Sequence, residues 1–334
     1  MTNKEITTLP FVSTLLVTYN ESEYIEYALE SLLTQDYPKS LYEIIIIDGN
    51  STDNTISLAK HLIQKCINSG ELVPQVSFLK NPKKILAAGW NIGIQAAKGE
   101  YVTRIDAHAT APNTFIRIAV ETMMRVDAVC VGGRLNTKAI SETGMIIKDI
   151  LSSSFGVGNS LFRTSNEAGY ADTAVYGLYD ISIFDKVGYF DESLVRNQDI
   201  ELHSRIKRAG GKFYFEPKIE FIYYSRDSVK GMMKQAFGNG LWNIVILKRN
   251  NAKLSLRHLI PFLFLLFWIV STVAGMFWTP VWYLECAVLI LYLGLAIVAS
   301  LKKTKSITRV IKMLGLFFLL HVSYGFGSFV GIFK

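Results

Sequence analysis

Apolar residues in the first half of the chain gather in short runs, and several of these runs stop at an acidic residue. Residues 11–19, 41–47, 76–79, 101–105 and 128–131 read as five strands. The run at 44–47 is wholly Ile, which suits a parallel strand covered on both faces. Helical stretches separate the strands at about 22–33, 54–66, 82–97 and 112–125. Pro112 opens the last of these, where its fixed backbone angle suits a first turn. The alternation β-α-β-α-β-α-β-α-β predicts a doubly wound α/β domain, whose ligands bind beyond the carboxyl ends of the strands.

The pattern changes after about residue 250. Three long apolar stretches follow at 259–278, 281–301 and 313–333, each about the 20 residues that a helix needs to cross a bilayer. Thr279-Pro280 breaks the first two, and Glu285 is an acidic exception within the second. Lys248, Arg249, Lys253 and Arg257 precede the first stretch, while Lys302, Lys303, Lys305, Arg309 and Lys312 separate the second from the third. The half-apolar composition and the mean hydropathy of +0.26 come from this tail. The net charge of +7 therefore points to a membrane surface, and nucleic acid is not expected as a partner. Basic clusters on the cytoplasmic side imply three crossings with Met1 inside and Lys334 outside. The expected division is a catalytic domain at 1–245, a basic juxtamembrane segment at 246–258 and a membrane domain at 259–334. Met1 to Glu5 carry no apolar core that would read as a signal peptide. The scattered Cys66, Cys130 and Cys286 have neither metal nor redox spacing and read as small buried hydrophobes.

Neither a Gly-x-Gly-x-x-Gly after the first strand nor a Gly-Lys-Ser/Thr occurs, which removes the main support for dinucleotide and P-loop chemistry. Acidic residues stand at the strand ends instead: Glu21, Asp48, Asp53 and Asp106. Asp48 can accept bonds from a base or ribose, and Asp53 can do the same or cap the following helix. Asp106 and His108 lie two apart and face one way in an extended segment. A carboxylate and an imidazole there can hold Mg²⁺ or Mn²⁺ against a diphosphate, or simply cap a strand. Lys83 and Lys84 can reach a diphosphate or remain ordinary surface lysines. Asp199 and Glu201 open a helix that ends at Gly210-Gly211. A carboxylate there can accept a proton from an attacking hydroxyl, or merely complement the helix terminus.

Taken in order, these segments resemble the family 2 glycosyltransferases, inverting enzymes with the GT-A fold. Val17-Thr18-Tyr19-Asn20-Glu21 resembles the opening motif, and Asp48-Gly49-Asn50-Ser51-Thr52-Asp53 the next nucleotide-binding motif. Asp106-Ala107-His108 stands where the family has Asp-x-Asp, and Gln198-Asp199 where it has Glu-Asp. Arg104-Ile105-Asp106-Ala107-His108, Phe155-Gly156-Val157-Gly158-Asn159 and Tyr224-Ser225-Arg226-Asp227-Ser228 are similar to a subgroup of succinoglycan-type exopolysaccharide glucosyltransferases with C-terminal membrane helices. The segment from Gln235 to Trp242 lacks the arginine of the family's Gln-x-x-Arg-Trp element, which argues against processive synthesis.

The resemblance implies a GT-A-like domain followed by three predicted transmembrane helices, in a bacterial-type inner membrane with the catalytic domain cytoplasmic. It implies Asp199 as the general base and Asp106 with His108 as ligands of Mg²⁺ or Mn²⁺. Thr18, Asn20, Glu21, Asp48, Asp53, Lys83 and Asp106 would hold the nucleotide sugar, which is expected to be a UDP-sugar. The expected acceptor is a lipid-linked saccharide in envelope or exopolysaccharide synthesis, with polysaccharide-synthesis proteins as further partners. Direct transfer to polyprenyl phosphate, or a noncatalytic nucleotide-sugar scaffold, are the alternatives.

Overall fold

A computed structural model describes residues 9–139, 141–158, 160–224, 228–250 and 255–334. The expectations for Met1 to Glu5, Asn159, Ser225 to Asp227 and Lys253 lie outside the described residues. Two compact units are present. One comprises the described residues up to Asn136 together with Ser165–Tyr223, and the other Thr137–Thr164 with Tyr224–Lys334. These packing units cut the chain at other points than the sequence-based division at 245 and 258.

In the first unit the chain runs through β1 (Val12–Thr18), α1 (Ile25–Leu33), β2 (Tyr42–Asp48), α2 (Thr55–Asn68), β3 (Gln75–Lys80), α3 (Leu86–Ala96), β4 (Tyr101–Asp106), β5 (Ala109–Thr110), α4 (Phe115–Arg125) and β6 (Cys130–Lys138). The excursion between the two parts of this unit holds α5 (Glu142–Leu151), α6 (Ser154–Val157) and α7 (Leu161–Thr164). The first unit resumes with β7 (Gly169–Ala171), β8 (Leu178–Asp180), α8 (Ser182–Val187), α9 (Gln198–Arg208) and β9 (Phe213–Tyr224).

The strands form one sheet in the order β3-β2-β1-β4-β8-β6-β9-β5, with β7 also on β9. The first four are parallel, in the register Thr18 opposite Asp48 and Val17 opposite Asp106. Their carboxyl ends therefore lie level. This half agrees with the doubly wound expectation. Beyond β4 the sheet turns antiparallel, because β8 pairs with β4 and β6 pairs with β8. The expected fifth parallel strand is thus the longer antiparallel β6, and the fold is a mixed GT-A-like sheet. Helix α3 forms despite Gly89 and Gly93, and the sheet explains both. A Cβ at either would press within 3 Å of Val17 or Leu15, so the glycines let α3 lie close on β1. Leu15, Ile45, Ile47, Trp90, Ile94, Tyr179, Leu202 and Phe213 belong to the core that fixes α3 and α9 against the sheet.

In the second unit, α5 packs Ile146, Ile147 and Ile150 against Met232 and Ala236 of α10 (Val229–Asn250) and against Met313, Phe317 and Leu320 further on. The remaining helices are α11 (Ile260–Gly275), α12 (Pro280–Leu301) and α13 (Ile307–Ile332). Among the described residues only α12 and α13 are both long and apolar enough to cross a membrane; α11 has 16 residues. At about 1.5 Å per residue α11 falls short of a hydrocarbon core of about 30 Å. Of the three membrane-length helices expected, two are found among the described residues, because α11 stops at Gly275 rather than running on to Trp278. Lys248 Nζ donates to the Ile332 carbonyl oxygen at 2.6 Å, and Lys334 lies over the Trp242 ring. At the other end of α13, Arg309 pairs with Asp149 and Lys312 with Glu142, both on α5.

Candidate functional site

The level carboxyl ends of β1, β2 and β4 gather the predicted residues in the first unit. The loops after β1 and β2 are sewn together. Asn20 N–H donates to Ser51 Oγ at 3.0 Å, and Thr52 N–H to Asn20 Oδ1 at 2.8 Å. Glu21 N–H donates to Thr55 Oγ1, and Ser22 N–H to Asp53 Oδ2. Asp53 accepts from both the N–H and the hydroxyl of Thr55, so it caps α2 while bridging to the neighbouring loop. The Thr55 hydroxyl is the main cause holding the Asp53 carboxyl down at about 2. Asp48 accepts from the Ser51 N–H and hydroxyl and shapes the turn at Asn50. Thr18 is buried, and its hydroxyl makes no hydrogen bond.

His108 turns Nδ1 to Glu21 Oε1 at 3.1 Å, and its ring stands edge-on to Tyr223 at 5.4 Å. Asp106 accepts from the Tyr176 hydroxyl at 2.9 Å. Burial, with Asp106 alongside, raises the Tyr176 phenol well above its ordinary range, so this hydroxyl stays protonated and donates. Lys83 forms an exposed ion pair with Glu192 at 2.6 Å. Asn91 donates to the same carboxylate.

Asp199 sits in the first turn of α9, partly exposed, after Asn197 in the left-handed region. Gln198 is buried and ties its amide to the Leu194 carbonyl. Glu201, 2% exposed, grips the Arg205 guanidinium, which also donates to the Val187, Gly188 and Tyr189 carbonyls. The two acids that the sequence left as rivals therefore differ: Glu201 is committed to the fold, and Asp199 is accessible. Below Asp199 lies His203, buried and bonded at both nitrogens, to Thr173 Oγ1 and the Tyr179 hydroxyl. Burial lowers its pKa to about 3, leaving a neutral ring.

Arg104, Tyr176 and Trp90 joined the site only with the fold. Arg104 is 8% exposed and stacks on the Trp90 ring at 3.8 Å, with the Phe190 ring beside Trp90 at 5.4 Å. Burial opposes its charge, but Tyr179, Asp199, Asp106 and Tyr176 outweigh that effect and raise its pKa. One guanidinium thus feels both Asp106 and Asp199, which are distant in sequence. Its signal was a lone charge within an apolar strand. Among the described residues, every non-glycine residue with positive φ lies in a loop around this region: Asn20, Asn50, Lys84, Tyr176 and Asn197. Such backbone strain clusters where geometry is demanded by function.

The donor set at β4 suits a hard divalent cation. Mg²⁺ is commonly held by one or two carboxylates, with substrate phosphates supplying further oxygens. Asp106 offers one such carboxylate, and His108 an imidazole whose Nδ1 faces Glu21. Among the described residues no group of three His, Cys, Asp or Glu is assembled, so the pair depends on phosphate oxygens to complete a shell.

The family model described as Glycosyl transferase family 2 matches residues 13–184. A dolichyl N-acetyl-alpha-D-glucosaminyl phosphate 3-beta-D-2,3-diacetamido-2,3-dideoxy-beta-D-glucuronosyltransferase of Methanococcus voltae is 30% identical, over 97% of this chain and 98% of its own length. The succinoglycan biosynthesis protein ExoA of Rhizobium meliloti is 31% identical over 72% of each chain. In fold, the chain is similar to the mannosyltransferase PcManGT from Pyrobaculum calidifontis, solved in complex with GDP-Man and Mn²⁺. That likeness has a TM-score of 0.58 at 17% identity, over 95% of this chain and 88% of the other.

Proposed function

The chain belongs to glycosyl transferase family 2 and is a glycosyltransferase, and from that premise we propose that it transfers a sugar, with inversion, from a nucleoside-diphosphate sugar to a lipid-linked saccharide. The donor is read as a UDP-sugar. The observation that carries the reading is the placement of Asp106 at the carboxyl end of β4, level with the linked loops after β1 and β2, together with a partly exposed carboxylate, Asp199, at the start of α9. Two relatives support the acceptor class and the pathway. One is named for transfer to a dolichyl-phosphate-linked sugar, and the other for succinoglycan biosynthesis.

In this reading Asp199 takes the proton from the acceptor hydroxyl, whose oxygen attacks the anomeric carbon opposite the nucleotide. Thr18, Asn20, Glu21, Asp48 and Asp53 form the nucleotide cradle, in which Asp48 and Asp53 also hold the loops in shape. Lys83 exchanges Glu192 for the diphosphate. Asp106 and His108 would hold Mg²⁺ or Mn²⁺, which supplies charge neutralisation for the departing diphosphate.

The apolar C-terminal helices support membrane association, and we read the catalytic domain as cytoplasmic, where nucleotide sugars are available. Among the described residues α12 and α13 are read as the helices that enter the bilayer, and α11 as lying along its surface. The functional test supplies membranes containing the protein with a panel of UDP-hexoses and polyprenyl-diphosphate-linked saccharides. The expected product is one sugar longer, with the anomeric configuration opposite to the donor's. Nucleotide binding without transfer to any acceptor would contradict the reading.

A further inference from the structure

We propose that Arg104 reads the donor sugar: with the guanidinium stacked on Trp90 beside Phe190, its terminal amino groups donate to hydroxyls of the ring lying between Asp106 and Asp199. The inference deepens the glycosyltransferase reading above and rests on it. Its starting point is an anomaly in the site. Arg104 is buried, yet its Nε makes no hydrogen bond, and the stacked Trp90 Nε1 makes none either. Buried donors are nearly always satisfied, so each exception calls for an explanation. Structural arginines usually find carbonyls or carboxylates, as Arg205 does with four residues. Arg104 instead stacks on the Trp90 face, with Phe190 alongside Trp90 on the same side, and this contact fixes the plane of the guanidinium.

The aromatic pair is itself fixed. Phe190 exchanges two backbone bonds with the Asn91 side chain, both 2.9 Å, and Trp90 and Phe190 touch each other at 4.8 Å. Arg104 and Asp106 are two apart on β4 and so project from the same face. If Asp106 serves the diphosphate and Asp199 the acceptor, the sugar ring must lie between them, where both carboxylates act on Arg104. A planar fork of N–H donors matches a pair of neighbouring ring hydroxyls, and the charge strengthens each bond.

The test uses full-length protein in detergent and the UDP-hexose that supports the fastest transfer, together with its monodeoxy analogues. Wild-type protein should lose about 10–100-fold in kcat/KM for at least one monodeoxy donor, the range for a hydrogen bond from a charged group. In Arg104→Lys and Arg104→Met that discrimination should shrink towards unity, while UDP affinity and melting temperature stay near wild type. Undiminished discrimination in both variants would overturn the inference alone. So would loss of UDP binding and melting temperature in both, which would assign Arg104 to the fold. Absence of transfer by the wild-type protein with every donor would overturn the underlying reading and the inference with it.

Discussion

Replacing Glu201 by Gln should unsettle the fold while sparing the chemistry. Glu201 meets Arg205 through three contacts of 2.7–3.1 Å, and Arg205 ties α9 to the carbonyls of Val187, Gly188 and Tyr189 at the end of α8 and just beyond it. The glutamine keeps one acceptor but turns an amide donor towards a guanidinium donor. Breaking a fully buried ion pair costs about 3–5 kcal/mol, whereas an exposed pair is worth about 0–1 kcal/mol. Here the acid is buried, but the arginine side chain is 21% exposed and keeps its carbonyl partners. An intermediate loss of about 2 kcal/mol follows, or about 4–8 °C in melting temperature for a unit of this size. Thermal unfolding in detergent measures it, and transfer rates taken well below the transition should stay within about threefold of wild type. An unchanged melting temperature with collapsed turnover would refute the reasoning and make Glu201 the reacting acid.

Asp53→Asn tests the stitched loops through pH. Its folded carboxyl is held at about 2 against an ordinary 3.8, so its stabilisation is complete above pH 3.8 and disappears as pH falls towards 2. Acid unfolding curves of wild type and variant should differ at neutral pH and converge below about pH 2; a constant offset would contradict this. Gly327→Ala would push a Cβ into the Phe237 carbonyl of α10, and should destabilise the C-terminal unit by about 1–3 kcal/mol, as overpacking does. Gly294→Ala, with open space around it, should be neutral within about 0.5 kcal/mol; limited proteolysis of both variants checks the contrast. Reporter fusions after Lys334 and within the 246–258 segment should report the same side of the membrane, and opposite sides would restore three crossings.

The parallel half of the sheet was legible because β1, β2 and β4 are buried on both faces and therefore largely apolar. The antiparallel half was not. β5, β7 and β8 have two or three residues each, too few for any periodicity to register. Among site residues, Asp48, Asp53 and Asp106 stood out because acids end apolar runs or open helices. Thr55 and Tyr176 did not, since a single hydroxyl in a loop carries no pattern until the fold brings its partner. Asp199 and Glu201 were indistinguishable by spacing. Burial separates them, because Glu201 faces Arg205 and the core while Asp199 remains accessible. The apolar tail was legible in composition, but long-range bonds within it, such as Lys248 to Ile332, were not.

The most direct measurement of the central claim is the single-turnover rate of Asp199→Asn against wild type, with UDP affinity measured on the same preparations. The substitution keeps size and some hydrogen bonding but removes the proton acceptor. General-base assistance is worth about 10²–10⁴ in rate, so transfer should fall by that much while UDP affinity and membrane insertion stay near wild type. Asp199→Asn transferring at the wild-type rate would contradict the account.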